Sequence, residues 1–236
     1  MGVDFKKIVD ETVNTYAPMQ VYEELLHLTT FLAERTLINA LEIGSHRCGI
    51  LNILAHIVVG KIISVDSYHH SAEAYRQRFS LSHPRAKLIK GNSHDEHVKE
   101  LVVQFLGKEM IDLLLIDADH TTMGIFTDVN MYSPLVARGG MIVVHDVDPQ
   151  HALLSEPEVA WCALKQDPRF KSEEIICLGN TPGINYADKG QLSQITDMLY
   201  FDPVRFKKQF PKLNGLPHRL GGFGILCKLD DIAKDG

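Results

Sequence analysis

The chain has 236 residues, 45% of them apolar, and 24 Lys and Arg against 30 Asp and Glu give it a net charge of −6. This composition excludes a disordered chain, and the acidic balance disfavours a protein whose main task is gripping nucleic acid. No apolar run approaches the roughly 18–20 residues that span a bilayer, so no membrane segment is expected. The opening Met1-Gly-Val-Asp-Phe-Lys-Lys has no apolar stretch ahead of its acidic residue, and Lys6 stands where a myristoylation signal takes Ser or Thr. The expectation is a cytoplasmic chain. Cys48, Cys162, Cys177 and Cys227 are scattered among apolar neighbours and read as free thiols rather than a disulfide or zinc framework.

In chain order, a helical region over about residues 1–37 comes first. Within it Val21–Leu37 puts Leu25, Leu28 and Leu32 on one face, as a helix covering the sheet edge would. Strands are predicted at Ile38–Ile43, Lys61–Asp66, Ala86–Lys90, Ile111–Asp117 and Gly140–His145. Helical spacing lies between them at Gly49–Val59, Ser71–Ser80, His94–Leu106 and Met123–Leu135. The fourth and fifth strands are almost continuous in aliphatics, the pattern of strands buried on both faces of a parallel sheet. A helix at Val159–Gln166 and strands at Glu173–Leu178 and Phe223–Leu229 complete the alternation. The result is a single α/β domain, 1–236, built as an open, doubly wound sheet. The segment 179–222 carries Pro182, Pro203, Pro211 and Pro217 and is too long for a plain connection. It reads as a lid over a site or as a contact in a homo-oligomer.

Ligands of such sheets bind beyond the carboxyl ends of the strands, so the residues that follow each strand carry the functional reading. The first strand runs into Glu42-Ile-Gly-Ser-His-Arg-Cys-Gly49. A dinucleotide fingerprint fails there because His46 occupies its second glycine. A P-loop through Gly44 and Gly49 fails at Ile50 and Leu51, which leave no lysine for phosphate. An acidic residue two before the first glycine fits S-adenosylmethionine (SAM), a sulfonium amino acid without phosphates; the alternative is a tight strand-to-helix turn. Asp66 ends the second strand and suits a ribose diol, or caps a helix. Asn92 and Ser93 follow the third strand and could face an adenine edge or form a turn. The fourth strand ends in Asp117-Ala-Asp-His120 and the fifth in His145-Asp-Val-Asp148. Carboxylates ending buried aliphatic strands point to a metal or a reacting hydroxyl, since unpaired charge there is costly; helix caps are the bland alternative.

Glu42-Ile-Gly-Ser-His-Arg, Ile116-Asp-Ala-Asp-His120 and Tyr132-Ser-Pro-Leu-Val-Ala-Arg-Gly-Gly-Met-Ile-Val-Val-His-Asp146 resemble the class I SAM-dependent methyltransferases. Within them they are most similar to the cephalosporin hydroxylase-like branch, which includes macrolide sugar O-methyltransferases. The likeness runs from about Val21 to Lys165 and resumes at Gly222–Lys228; the 179–219 segment matches nothing in it. The resemblance implies a Rossmann-like, seven-stranded sheet, mostly parallel with the last strand antiparallel. It implies that Glu42, Gly44 and Ser45 line the methionine side of SAM, that Asp66 takes the ribose and that Asn92 and Ser93 sit near the adenine. Asp117, which also borders the SAM site, and Asp146 match metal ligands of the Mg²⁺- or Mn²⁺-dependent members, and His120 matches their general base. The third ligand position falls on His145, where the macrolide sugar enzymes carry an acid, and Cys48 replaces a common glycine of the loop.

The implied activity is transfer of a methyl group to a hydroxyl of a small molecule, a sugar or natural product. The alternatives are a catalytically inactive SAM-binding module and, behind it, a nicotinamide-dependent oxidoreductase, which the missing glycine opposes. Arg205, Lys207, Lys208, Lys212 and Arg219, interleaved with Phe206 and Phe210, allow an anion site but read more simply as the solvated face of a lid. Trp161 reads as core.

Overall fold

The computed structural model describes residues 4–68, 72–151, 153–177, 179–217 and 219–229. Seven strands, β1 (Ala40–Ile43), β2 (Ile62–Asp66), β3 (Ala86–Lys90), β4 (Ile111–Ile116), β5 (Val136–His145), β6 (Phe170–Ile175) and β7 (Phe223–Lys228), form one sheet in the order β3-β2-β1-β4-β5-β7-β6. The first five pair in parallel, and β7 runs antiparallel between β5 and β6. This is the Rossmann-like, doubly wound sheet expected from the alternation. Strand order reverses between β1 and β4, the place where a doubly wound sheet opens a crevice.

The aliphatic strands sit where both faces are covered. In β4 every residue but Asp112 is buried, and Asp112 accepts the amide N–H groups of Ile38 and Asn39 at 2.9 and 2.8 Å as β1 is approached. One face is covered by α1 (Phe5–Tyr16), α2 (Tyr22–Ala33), α3 (Gly49–Ile57) and Phe79 of α4 (Glu73–Ser82). The opposite face is covered by α5 (Glu96–Leu106), α6 (Thr122–Tyr132) and α7 (Glu156–Leu164). Leu25, Leu28 and Leu32 of α2 share a cluster with Leu113, Leu115, Val143 and Ile225, so this helix covers a face of the sheet rather than its edge. A helix with three leucines on one stripe buries more apolar area against a sheet face than along an edge strand's backbone. Trp161 is core, 1% exposed, with its indole N–H donated to Glu174.

Several boundaries move, among them β5, which begins at Val136 rather than Gly140, and α7, which begins at Glu156 rather than Val159. The predicted Glu173–Leu178 strand is β6 at Phe170–Ile175, because its pairing with β7 sets Phe170 opposite Lys228 and Ile175 opposite Phe223; Leu178 itself lies outside the described residues. The helix predicted from Ser71 begins at Glu73, and Ser71 also lies outside them. Inside the 179–222 segment lie α8 (Lys189–Phe201) and α9 (Pro203–Gln209), capped by the carboxylates of Asp188 and Asp202. Their Leu192, Ile195, Leu199 and Phe206 close a third apolar cluster with Val21, Leu216 and Leu220. Among the described residues no helix is long and apolar enough to cross a membrane.

Leu115 is fully buried at the centre of the sheet, whereas Met123 is 71% exposed on α6. Leu115→Ala is expected to lower unfolding free energy by about 2–5 kcal/mol, and Met123→Ala to change it by no more than about 0.5 kcal/mol, as read from urea titrations.

Candidate active site

A cavity of about 760 Å³ opens at the carboxyl ends of the strands, and all ten residues singled out in the sequence border it. Glu42, Gly44 and Ser45 come from the end of β1, Asp66 from the end of β2, and Asn92 and Ser93 from the turn after β3. Asp117 and His120 come from the turn after β4, and His145 and Asp146 from the end of β5. Thr196 and Tyr200 of α8, with Leu153, Leu154, Leu216 and Leu220, close the rest of the wall.

The residues at the ends of β1, β2 and β3 have definite local work. Gly44 has φ +88°, and a Cβ there would lie 1.9 Å from the carbonyl oxygen of Asp117. The glycine is therefore demanded by the close approach of the β1 and β4 ends. Asp66 accepts the amide N–H groups of His46 at 2.7 Å and Tyr68 at 2.6 Å and pairs with buried Arg76 at 2.6 Å. It caps no helix. Asn92 accepts the His94 N–H at 3.0 Å and so shapes its turn, while Tyr132 donates its hydroxyl to the Ser93 carbonyl at 2.8 Å. The Ser45 hydroxyl accepts from Ser64 at 2.6 Å. Glu42 is 2% exposed and its Oε2 is buried without a protein partner. Burial, then the charges of Asp117 and Asp66, pushes its carboxyl well above the usual range. A buried, unpartnered acceptor beside a cavity calls for a donor from a ligand.

The turns after β4 and β5 bring two carboxylates together, Asp146 buried and Asp117 with a 12% exposed side chain. Asp117 Oδ1 lies 3.4 Å from His120 Nε2 and 3.2 Å from His145 Nδ1; Asp117 Oδ2 accepts from the Gln20 amide at 2.7 Å. Asp146 Oδ2 lies 3.0 Å from His120 Nε2, and its Oδ1 lies 3.3 Å from both His145 Nδ1 and His151 Nε2. Neither aspartate is a helix cap: α6 is capped by the Thr121 hydroxyl. One ligand atom each from Asp117, His120 and Asp146 gathers within 4.8 Å, a spacing that could hold a metal ion. His145 approaches the same carboxylates from the buried side, its ring tilted against Phe223 at 4.7 Å.

Burial alone would raise both carboxyls. The facing His145 charge and the hydrogen bonds from His120 and His145 instead hold them well below the usual carboxylate range. Burial likewise opposes charge on His120, and its contacts to Asp117 and Asp146 overcome that, lifting the imidazole to about 10. His145 also rises, against its burial, through the charges of Asp146 and Asp117. Two adjacent, poorly solvated carboxylates need a cation between them, and either an imidazolium or a metal ion satisfies that need.

Four contributors escaped the sequence reading. Gln20 and Tyr200 come from segments with no motif at all. Buried Arg47, inside the β1 loop, donates to the carbonyls of Leu199 at 2.7 Å and Ala17 at 3.1 Å, while His46 stacks on Tyr200 with centroids 4.5 Å apart. Together they dock α8 onto the loop. His151 could have been noticed as a further histidine close behind the His145-Asp146 pair.

Residues 41–147, which carry β1 through β5, match a family model described as a methyltransferase domain. No curated protein matches the chain. Among solved structures, the O-methyltransferase TomG from Streptomyces achromogenes, involved in tomaymycin synthesis and in complex with SAM, superimposes with a TM-score of 0.57. It is 13% identical, over 98% of this chain and 92% of its own. An O-methyltransferase from Bacillus cereus in complex with S-adenosylhomocysteine gives 0.56 at 14% identity over 97% and 93%. An rRNA methylase from Streptococcus thermophilus gives 0.56 at 13% identity over 88% and 97%. The matched segment is similar to a methyltransferase domain, and the fold is shared with these solved methyltransferases.

The raised imidazoles fix a sign. A group whose folded pKa lies above its unfolded value stabilises the fold below the unfolded pKa and loses that contribution as pH rises through the folded one. His120 should therefore add stability up to about pH 6.5 and lose it progressively towards pH 10. In chelator, the melting temperature is expected to fall across that window, and to fall less in His120→Asn, as read by calorimetric scans.

Proposed function

We propose that the chain transfers a methyl group from SAM to a hydroxyl of a small, uncharged molecule, with a divalent cation held at Asp117 and Asp146. The observation that carries this is the coincidence, in one cavity, of the SAM-type strand ends with the Asp117–His120–Asp146 cluster. SAM supplies a methyl carbon on a sulfonium, which takes a hydroxyl oxygen as the carbon–sulfur bond breaks and leaves a methyl ether and S-adenosylhomocysteine. The chain's part is to align the partners, to bind the cofactor and to receive the hydroxyl proton.

Glu42, with its unpartnered oxygen, suits the cationic amino end of the cofactor, and Asp66, ordered by Arg76 and two amides, offers its remaining lone pairs to the ribose. Asn92 and Ser93 then border the adenine. The two carboxylates fit Mg²⁺ or Mn²⁺, hard cations that take oxygen ligands. Such a cation would polarise a bound hydroxyl and make its proton easier to remove. His120, whose side chain is 40% exposed against 12% for Asp117 and 9% for Asp146, is the member of the cluster that an acceptor can reach, and once a cation has displaced its own proton it would take the hydroxyl proton at Nε2. His145, wedged behind the carboxylates, orients them.

The acceptor is expected to be neutral. Among the described residues that border the cavity Arg47 is the one Arg or Lys, and two backbone carbonyls occupy it. The leucines at the wall favour an apolar body behind the hydroxyl. An RNA acceptor is disfavoured by this wall and by the net charge of −6. An inactive SAM-binding module remains the second reading, since SAM binding needs only the first three strand ends. Tight SAM binding with no methyl transfer to any of a panel of diols, in Mn²⁺, would favour it.

Methyl transfer is expected to stop in excess chelator and return with Mg²⁺ or Mn²⁺, and full activity in chelator would remove the cation from the account. His120→Ala should lower turnover about 10²–10⁴-fold while Mn²⁺ binding persists. Loss of Mn²⁺ binding in that variant would make His120 a ligand instead of the base. Because cation uptake displaces the His120 proton, affinity for Mn²⁺ should strengthen as pH rises from 6 to 8.

A further inference from the structure

His151 is the third imidazole at the carboxylate pair and differs from the other two in how its ring is fixed. Its side chain is 4% exposed, and Nε2 lies 3.3 Å from Asp146 Oδ1. At the other side of the ring, Nδ1 accepts the backbone N–H groups of Leu153 at 3.2 Å and Leu154 at 2.9 Å. A nitrogen that accepts two N–H groups carries no proton, so the ring proton sits on Nε2 and is donated to Asp146. The same proton bars Nε2 from a cation, which places His151 outside the ligand set although it touches a ligand. The turn before it is fixed as well. The Asp148 carboxylate accepts the Gln150 N–H at 2.7 Å, and its carbonyl accepts the His151 N–H at 2.9 Å.

Both groups that His151 holds need holding. Asp146 has φ +62°, a left-handed backbone that side-chain-bearing residues rarely adopt and that persists only where surrounding contacts enforce it. Leu153 and Leu154 border the cavity, and among the described residues their amides have no strand or helix partner. We propose that His151 is a positioning residue that locks Asp146 and the acceptor-facing Leu153–Leu154 turn into a single arrangement. An acceptor pressing on the two leucines is thereby felt at Asp146, and the carboxylate's orientation fixes the wall. The inference rests on the reading of Asp146 as a cation ligand for its consequence at the metal, but not for the geometry itself.

Three substitutions separate the two contacts. In His151→Asn the side-chain oxygen can still accept from Leu153 and Leu154 but the residue is too short to reach Asp146. In His151→Gln the amide N–H can reach Asp146. His151→Phe removes both. The full chain is measured by Mn²⁺ titration, by S-adenosylhomocysteine titration as a control for folding, and by NMR of ¹⁵N-histidine and ¹³C-aspartate labels. The expected result is an unprotonated Nδ1 and protonated Nε2 for His151, with the Asp146 carboxyl shift moved in Asn and Phe and restored in Gln. Mn²⁺ affinity should weaken on the order of ten-fold in Asn and Phe and recover in Gln, at constant S-adenosylhomocysteine affinity. A protonated Nδ1, or an Asp146 signal indifferent to all three substitutions, overturns the inference. Should the unsubstituted chain take up no Mn²⁺, the cation reading fails, and the two NMR signatures still decide the role of His151.

Discussion

The site depends on one electrostatic constraint: two poorly solvated carboxylates, Asp117 and Asp146, facing each other across the ends of adjacent strands. Unpaired, they would repel at short range in a medium that solvates them poorly. The chain answers with three imidazoles and the Gln20 amide, each donating from a different direction. Such an arrangement can be neutralised by protons or, under the proposed function, by a divalent ion, whose exchange for protons would couple pH to cation binding. The raised His120 and His145 and the depressed aspartates express the same constraint from both sides.

The sheet places that pair. The reversal of strand order between β1 and β4 sets the end of β1 against the Asp117 carbonyl so closely that only glycine fits at position 44. The SAM-type loop and the carboxylate pair are thus neighbours by construction. Glu42, buried and unpartnered, senses both Asp66 and Asp117. Above them α8 is held by Arg47 and by the His46–Tyr200 stack, so the helix that walls one side of the cavity rests on the loop that walls the other. Order in one is expected to transmit to the other through the Arg47 guanidinium.

Much of this was legible in the residues themselves. The aliphatic β4 and β5, their terminal acids, and the glycine loop after β1 carry periodicity and composition that depend on local chemistry, and each lies close to where it was read, although β5 starts four residues earlier, at Val136. Other features follow from three-dimensional pairing and leave no local trace. β6 is displaced by its antiparallel register with β7, and α2 turns its leucines to a sheet face because the edge cannot bury them. The 179–222 segment hid α8 and α9 among its prolines, although Asp188 and Asp202 stand as their caps. Gln20 reaches Asp117 from 97 positions away, which no motif could announce. Gly44 was legible as a special residue, but its reason is strand packing rather than ligand approach.

The central claim is that the Asp117–Asp146 pair, not a chain of protons alone, holds a divalent cation beside the SAM site. The most direct measurement is a crystal grown with S-adenosylhomocysteine and Mn²⁺, read by anomalous scattering at the manganese edge. The account predicts one strong peak between the carboxylates of Asp117 and Asp146, with the nucleoside ordered along Glu42, Asp66 and Asn92. Well-defined S-adenosylhomocysteine with no anomalous peak at the carboxylates, and His120 still bridging them, would contradict it.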